Sequence, residues 1–166
     1  MNLDDSGEHA GAAVDHLRAG LTAQLVAALG DAHVLTDATS RRFHAQDVHG
    51  SGVLPLAVVR PGSVEELAAA VRLVTAASAA VVARGGGMSY TDGYLPICED
   101  TVTFDTTRLN RIVEINPRDR YVTVECGVTW KALADALAPH ALRTPYWGPL
   151  SGLRATVGGA LSQGSI

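Results

Sequence analysis

Apolar residues fall into a few periodic runs separated by breaks that carry glycine and proline. Val14, Leu17, Leu21, Leu25 and Leu29 recur at steps of three and four, the stripe of one amphipathic helix ending near Gly30. Residues 31–53 carry no such period and read as a mixed, loop-like stretch. From Leu54 the pattern tightens. Leu56-Ala57-Val58-Val59 is a continuous apolar run, the mark of a buried strand, and Pro61-Gly62 turns the chain. Ser63, with Glu66 three residues on, forms a capping box that opens a helix. Val64, Leu67, Val71 and Val74 give this helix its buried stripe to about Ala77, and Ala79-Ala80-Val81-Val82-Ala83 is the next strand. Residues 56–83 therefore predict a βαβ unit with a parallel pair of strands.

Past the glycine cluster that follows, no helical period resumes. Residues 88–100, with Gly93 and Pro96, read as a long loop. Thr101-Val102-Thr103-Phe104 is a strand. Arg111-Ile112-Val113-Glu114-Ile115 and Tyr121-Val122-Thr123-Val124 flank Asn116-Pro117-Arg118-Asp119, the pattern of a hairpin. Thr129 caps a helix whose apolar face is Trp130, Leu133, Ala134 and Leu137. From Arg143 the chain is rich in glycine and proline and predicts no closing element. The organisation expected is a disordered tail and amphipathic helix over 1–33, followed by one domain over 34–166.

Composition narrows the class. A chain of 166 residues with 47% apolar and 18% charged positions is globular and long enough for one domain. A net charge of −4 argues against electrostatic capture of nucleic acid or anionic lipid. No apolar run approaches the ~18 residues of a membrane-spanning helix, and the acidic start lacks a signal-peptide core. Cys98 and Cys126 form neither a disulfide framework nor a CxxC pair and read as structural, reduced thiols of a cytoplasmic protein. The only lysine, Lys131, follows Trp130 with no glycine run before it, which excludes a Walker A loop.

The main chemical signal is Arg84-Gly85-Gly86-Gly87-Met88-Ser89-Tyr90, at the C-terminal end of a predicted parallel strand. Ligands of α/β sheets gather at that end, and consecutive glycines let backbone N–H groups converge on an anion. The plainer alternative is a tight turn requiring positive φ. A Rossmann loop is excluded, because Tyr90 takes the place of the third glycine and no helix follows. Asp105 then reads as a strand-terminal turn residue rather than a ribose ligand. Thr156-Val157-Gly158-Gly159-Ala160-Leu161-Ser162 is a second place of close backbone approach, with hydroxyls on either side. His44, Asp47 and His49 read as a solvated polar loop rather than metal ligands. Trp130 reads as core, while Tyr146-Trp147 is open between a cofactor wall and a loop anchor.

Taken in order, Pro61-Gly62-Ser63-Val64-Glu65-Glu66, the Arg84–Ser89 loop, Val122-Thr123-Val124-Glu125-Cys126-Gly127-Val128, Pro145 and the Thr156–Gly159 pair resemble one family. It is the FAD-binding domain of the vanillyl-alcohol oxidase/PCMH-type flavoproteins, which include FAD-linked D-lactate and glycolate dehydrogenases and oxidases of sugars and aromatic alcohols. The resemblance, from about residue 34 onward, implies an α+β fold: a first βαβ portion, then a mixed sheet, with FAD lying across it. It implies that Gly85, Gly86, Gly87 and Ser89 cradle the FAD pyrophosphate, within a cofactor loop that also holds Arg84, Met88 and Tyr90. Thr156, Gly158, Gly159 and Ser162 would line the cofactor near the pyrophosphate and flavin ring. Some members attach FAD covalently through a histidine in an R-x-G-G-H pattern. Met88 stands there in this chain, so the expected FAD is non-covalent.

The activity implied is oxidation of an alcohol or 2-hydroxy acid, a small-molecule substrate, by hydride transfer to flavin. No catalytic base can be assigned, and a missing C-terminal half or cap domain is implied, which makes the chain a fragment. The alternatives are a non-catalytic flavin- or nucleotide-binding module and an inactive truncated product. On this reading Gly86→Val abolishes FAD binding, because a branched Cβ blocks backbone approach and forbids positive φ.

Overall fold

The computed structural model describes residues 18–165, so Val14, Leu17 and the predicted N-terminal tail lie outside the described residues. Helix α1 (residues 18–29) carries Leu21, Leu25 and Leu29 on its buried face, as the stripe predicts. The chain then enters a four-stranded sheet of order β1–β2–β4–β3. β1 (Val34–Leu35) runs antiparallel to β2 (Ala57–Val59). β2 and β3 (Ala80–Arg84) each lie parallel to β4 (Thr101–Asp105), which sits between them.

The βαβ crossover through α3 (Val64–Ala76) is therefore present, but its two strands do not pair. Burial explains the difference. All five residues of β4 are buried, whereas β3 is mostly exposed until Arg84. The strand covered on both faces takes the centre and the wetter strand becomes an edge. α3 starts where the capping box places it. Ser63 accepts a hydrogen bond from the Glu66 N–H at 3.2 Å, and the Glu66 carboxylate accepts the Gly62 N–H at 2.7 Å. Residues from α1, α3, β1, β2 and β4 close one core around Leu25, Val74, Val102 and Phe104. Each such side chain contributes on the order of 1.5–3 kcal/mol by leaving water.

Residues 31–53 are more ordered than their pattern suggests. Besides β1 they form α2 (Ala38–His44), capped by the Asp37 side chain, which accepts the Ser40 N–H at 2.9 Å. Ala38-Thr39-Ser40-Arg41-Arg42 shows no apolar stripe, so periodicity alone passes over this helix.

The second part contains the predicted hairpin of β5 (Ile112–Asn116) and β6 (Tyr121–Val124), with an irregular register between Ile112 and Glu114. Asn116 holds the turn by accepting the Asp119 N–H at 3.0 Å. α4 (Trp130–Leu137) begins at Thr129, whose hydroxyl accepts the Ala132 N–H. A further helix, α5 (Val157–Ser162), occupies the segment expected to lack a closing element, and Thr156 caps it. Trp130, Leu133, Leu137, Val128, Ala155 and Ala160 form the second core, against which Met88 packs. The result is the α+β arrangement with a mixed sheet that the family resemblance implies. Among the described residues, no helix is long and apolar enough to cross a membrane. Both cysteines are free, exposed thiols.

Candidate functional site

Three parallel strands deliver their C-terminal ends to one side of the sheet. Arg60 follows β2, Arg84 ends β3 and Asp105 ends β4. Asp105 does more than close a strand. Its buried carboxylate accepts hydrogen bonds from the Thr107 N–H at 2.9 Å, the Thr107 hydroxyl at 2.6 Å and His44 Nε2 at 3.3 Å. Arg60 Nε lies 3.3 Å from the same carboxylate. Burial alone pushes this carboxyl up, but the hydrogen bonds from His44 and Thr107 prevail and hold it at about 2.

His44 is thus a buried strut joining α2 to β4, not part of a solvated loop. Its Nδ1 faces the Ser40 carbonyl at 2.8 Å. Asp47 organises a turn, with one oxygen accepting the His49 and Gly50 N–H groups and the other accepting the Asp92 N–H. Among the described residues, no three side chains gather as a metal site.

The glycine loop leaves β3 directly above this hub. Added side chains would meet the rest of the protein at each of its glycines. A Cβ on Gly85 would stand 2.5 Å from Thr156 Oγ1, and one on Gly86 would collide with the Arg154 carbonyl. These two glycines therefore let the first loop press against the second glycine segment. Only Gly87 takes a left-handed backbone, with φ of 69°, and its Cβ would strike the Arg84 guanidinium. The reason for glycine at position 86 is thus loop-to-loop packing, not positive φ. The second segment is itself anchored to the start of α4. Trp130 N–H donates to Ala155 O at 3.1 Å, and Val157 N–H donates to Val128 O at 2.8 Å.

Between the two segments lies a cavity of about 620 Å³, within the range typical of cofactor sites. Gly85, Gly86, Gly87, Met88, Ser89, Tyr90, Thr156 and Gly159 line it, eight of the eleven residues expected at the cofactor. The other three do not. Gly158 packs on Cys126 and donates its N–H to that residue's carbonyl, and Ser162 donates its hydroxyl to the Gly158 carbonyl. Arg84 sits behind the loop. The lining also includes Thr91, Tyr94, Tyr146, Trp147 and Gln163. Of these, only Tyr146-Trp147 draws notice in the sequence. Tyr146 meets the core ring of Trp130 edge-on at 5.0 Å, so the pair serves as wall and anchor together.

Arg84 shows what the cavity is suited to hold. The residue is 5% exposed, yet its guanidinium makes no hydrogen bond and no ion pair among the described residues, and its Nε is fully enclosed. Its neighbours are the rings of Phe43 at 5.1 Å and Tyr94 at 5.5 Å. Burial lowers its proton affinity, though an arginine so placed remains charged. The Asp105 carboxylate on the neighbouring strand offsets part of that charge through space without bonding to it, and a buried cation so weakly paired is costly. Among the described residues, none accepts from the N–H groups of Gly86, Gly87 or Met88 either. Among the described residues, no aspartate, glutamate, histidine or lysine lines the cavity. Unused backbone donors, a buried cation with no bonded partner and a lining free of carboxylates among the described residues fit a polyanionic group such as a pyrophosphate, with aromatic and small apolar walls for a flat ring system.

Comparison with known proteins agrees. The protein named uncharacterized FAD-linked oxidoreductase YgcU of Escherichia coli (strain K12) is 29% identical over 158 residues, covering 90% of this chain and 32% of that protein. The glycolate oxidase subunit GlcD of Escherichia coli (strain K12) is 33% identical over 111 residues, 66% of this chain and 21% of its own. The chain thus spans about a third or less of the length of these relatives. In backbone shape it matches the crystal structure of p-cresol methylhydroxylase with substrate bound. The TM-score is 0.76 at 21% identity, over 88% of this chain and 29% of that one. Residues 55–166 match the family described as FAD binding domain, and the chain belongs to that family.

Proposed function

We propose that the cavity between the two glycine segments seats FAD, and that the protein carrying this chain oxidises an alcohol or 2-hydroxy acid. The observation that carries the proposal is the convergence of the Gly85–Gly87 and Thr156–Gly159 segments beside a buried arginine whose guanidinium makes no hydrogen bond among the described residues. On this reading Gly86, Gly87 and Met88 donate backbone N–H groups to the pyrophosphate, and Arg84 supplies long-range positive charge from behind the loop. Tyr146 and Trp147 provide a wall for the ring system. Met88 packs into the second core through a thioether and offers no ring nitrogen for a covalent link, so the cofactor is held without a covalent bond.

When bound, the flavin ring supplies the hydride acceptor, and the chain's task is positioning and electrostatics. Among the described residues no carboxylate, histidine or lysine lines the cavity, so a proton acceptor of one of those types for substrate oxidation lies outside this lining, whose own ionisable hydroxyls are those of Tyr90, Tyr94 and Tyr146. Similarity to a glycolate oxidase subunit supports a 2-hydroxy acid as substrate class, glycolate being the simplest of these. The test is anaerobic mixing of the FAD-loaded protein with a panel of 2-hydroxy acids and alcohols. Bleaching of the flavin absorbance by one member supports the proposal. A flavin that dithionite reduces but no panel member bleaches counts against it.

A further inference from the structure

Three polar side chains meet at the rim of the cavity from opposite sides. Gln163, just after α5, reaches across to the loop that follows β3. Its Nε2 donates to Ser89 Oγ at 2.9 Å and approaches Thr91 Oγ1 at 3.4 Å. Ser89 Oγ also accepts the Thr91 N–H at 3.2 Å and lies 2.9 Å from Thr91 Oγ1. All three residues line the cavity.

Donor counting gives this cluster a direction. A hydroxyl oxygen has two acceptor lone pairs and one proton to donate. Both lone pairs of Ser89 Oγ are taken, by Gln163 Nε2 and by the Thr91 N–H. The bond between the two hydroxyls can then run only from Ser89 O–H to Thr91 Oγ1. One donor remains, the Thr91 O–H, on an exposed residue at the cavity rim. We infer that Gln163 is a positioning residue: by donating to Ser89, it orients the hydroxyl pair so that Thr91 presents its O–H to the anionic part of the bound cofactor. The inference rests on the cavity being the FAD site, and it makes Thr91 a further cofactor-binding residue.

A double-mutant cycle on FAD affinity, read by flavin fluorescence with the full chain, tests this. Thr91→Val should weaken binding about tenfold, the worth of one hydrogen bond to a charged acceptor. Thr91→Ser, which keeps the hydroxyl, should stay within about twofold of wild type. Gln163→Met should weaken binding several-fold in the wild-type background and have no further effect beside Thr91→Val, because it acts through that hydroxyl. Equal losses from Gln163→Met in both backgrounds, or none in wild type, overturn the inference while leaving the FAD site standing. A wild-type chain that binds no FAD overturns the site assignment, and the inference with it.

Discussion

Asp105→Asn tests whether the carboxylate at the end of β4 holds together the strand ends beneath the glycine loop. The carboxyl lies at about 2 against an ordinary 3.8. At ~1.4 kcal/mol per unit, this difference is worth about 2 kcal/mol of folding stability. The folded-state value is depressed, so this contribution is fully present above about pH 4 and is lost as the pH falls toward 2. Asparagine keeps the shape but removes the charge that faces His44 and Arg60. Urea unfolding followed by circular dichroism at pH 7, 4, 3 and 2 measures the effect. The expected gap between wild type and variant is about 2 kcal/mol at pH 7, closing between pH 4 and pH 2. A gap that stays constant down to pH 2 would show that the hydrogen bonds to Asp105 do not favour its charged form, and would refute the reasoning.

Gly86→Ala places a methyl group on the Arg154 carbonyl. It should lower stability by about 1–3 kcal/mol through forced separation of the two loops, with weakened FAD binding as a consequence; a melting temperature equal to wild type refutes the contact. With Met88 in place of a linking histidine, acid precipitation of the FAD-loaded protein should leave all flavin in the supernatant. Yellow colour retained in a washed, denatured pellet would contradict this.

What the sequence reveals and what it hides follow from the range of the interactions. Caps are local, so Ser63 with Glu66 and Thr129 with Ala132 mark their helices by residue type alone. Parallel pairing is not local. The insertion of β4 between β2 and β3 depends on which strand is covered on both faces, and Thr101 and Thr103 disguise a fully buried strand as a half-polar one. α2 escapes notice because its anchor is a buried histidine bonded to a distant aspartate, not an apolar stripe. At the site, runs of glycine identify the two segments. The reason for Gly86 appears only once the Arg154 carbonyl, far along the chain, is seen against it. Thr91 and Gln163 are ordinary polar residues in sequence and acquire meaning only through their meeting across the cavity.

The central claim is that these two glycine segments form one FAD seat, and titration of the purified chain with FAD tests it most directly. Flavin fluorescence should change with a one-to-one endpoint. FAD at about a hundredfold over Kd should stabilise the chain by roughly 3 kcal/mol, raising the melting temperature by several degrees. Arg84→Gln should weaken this binding. A chain whose melting curve and flavin signal are both indifferent to excess FAD would contradict the account.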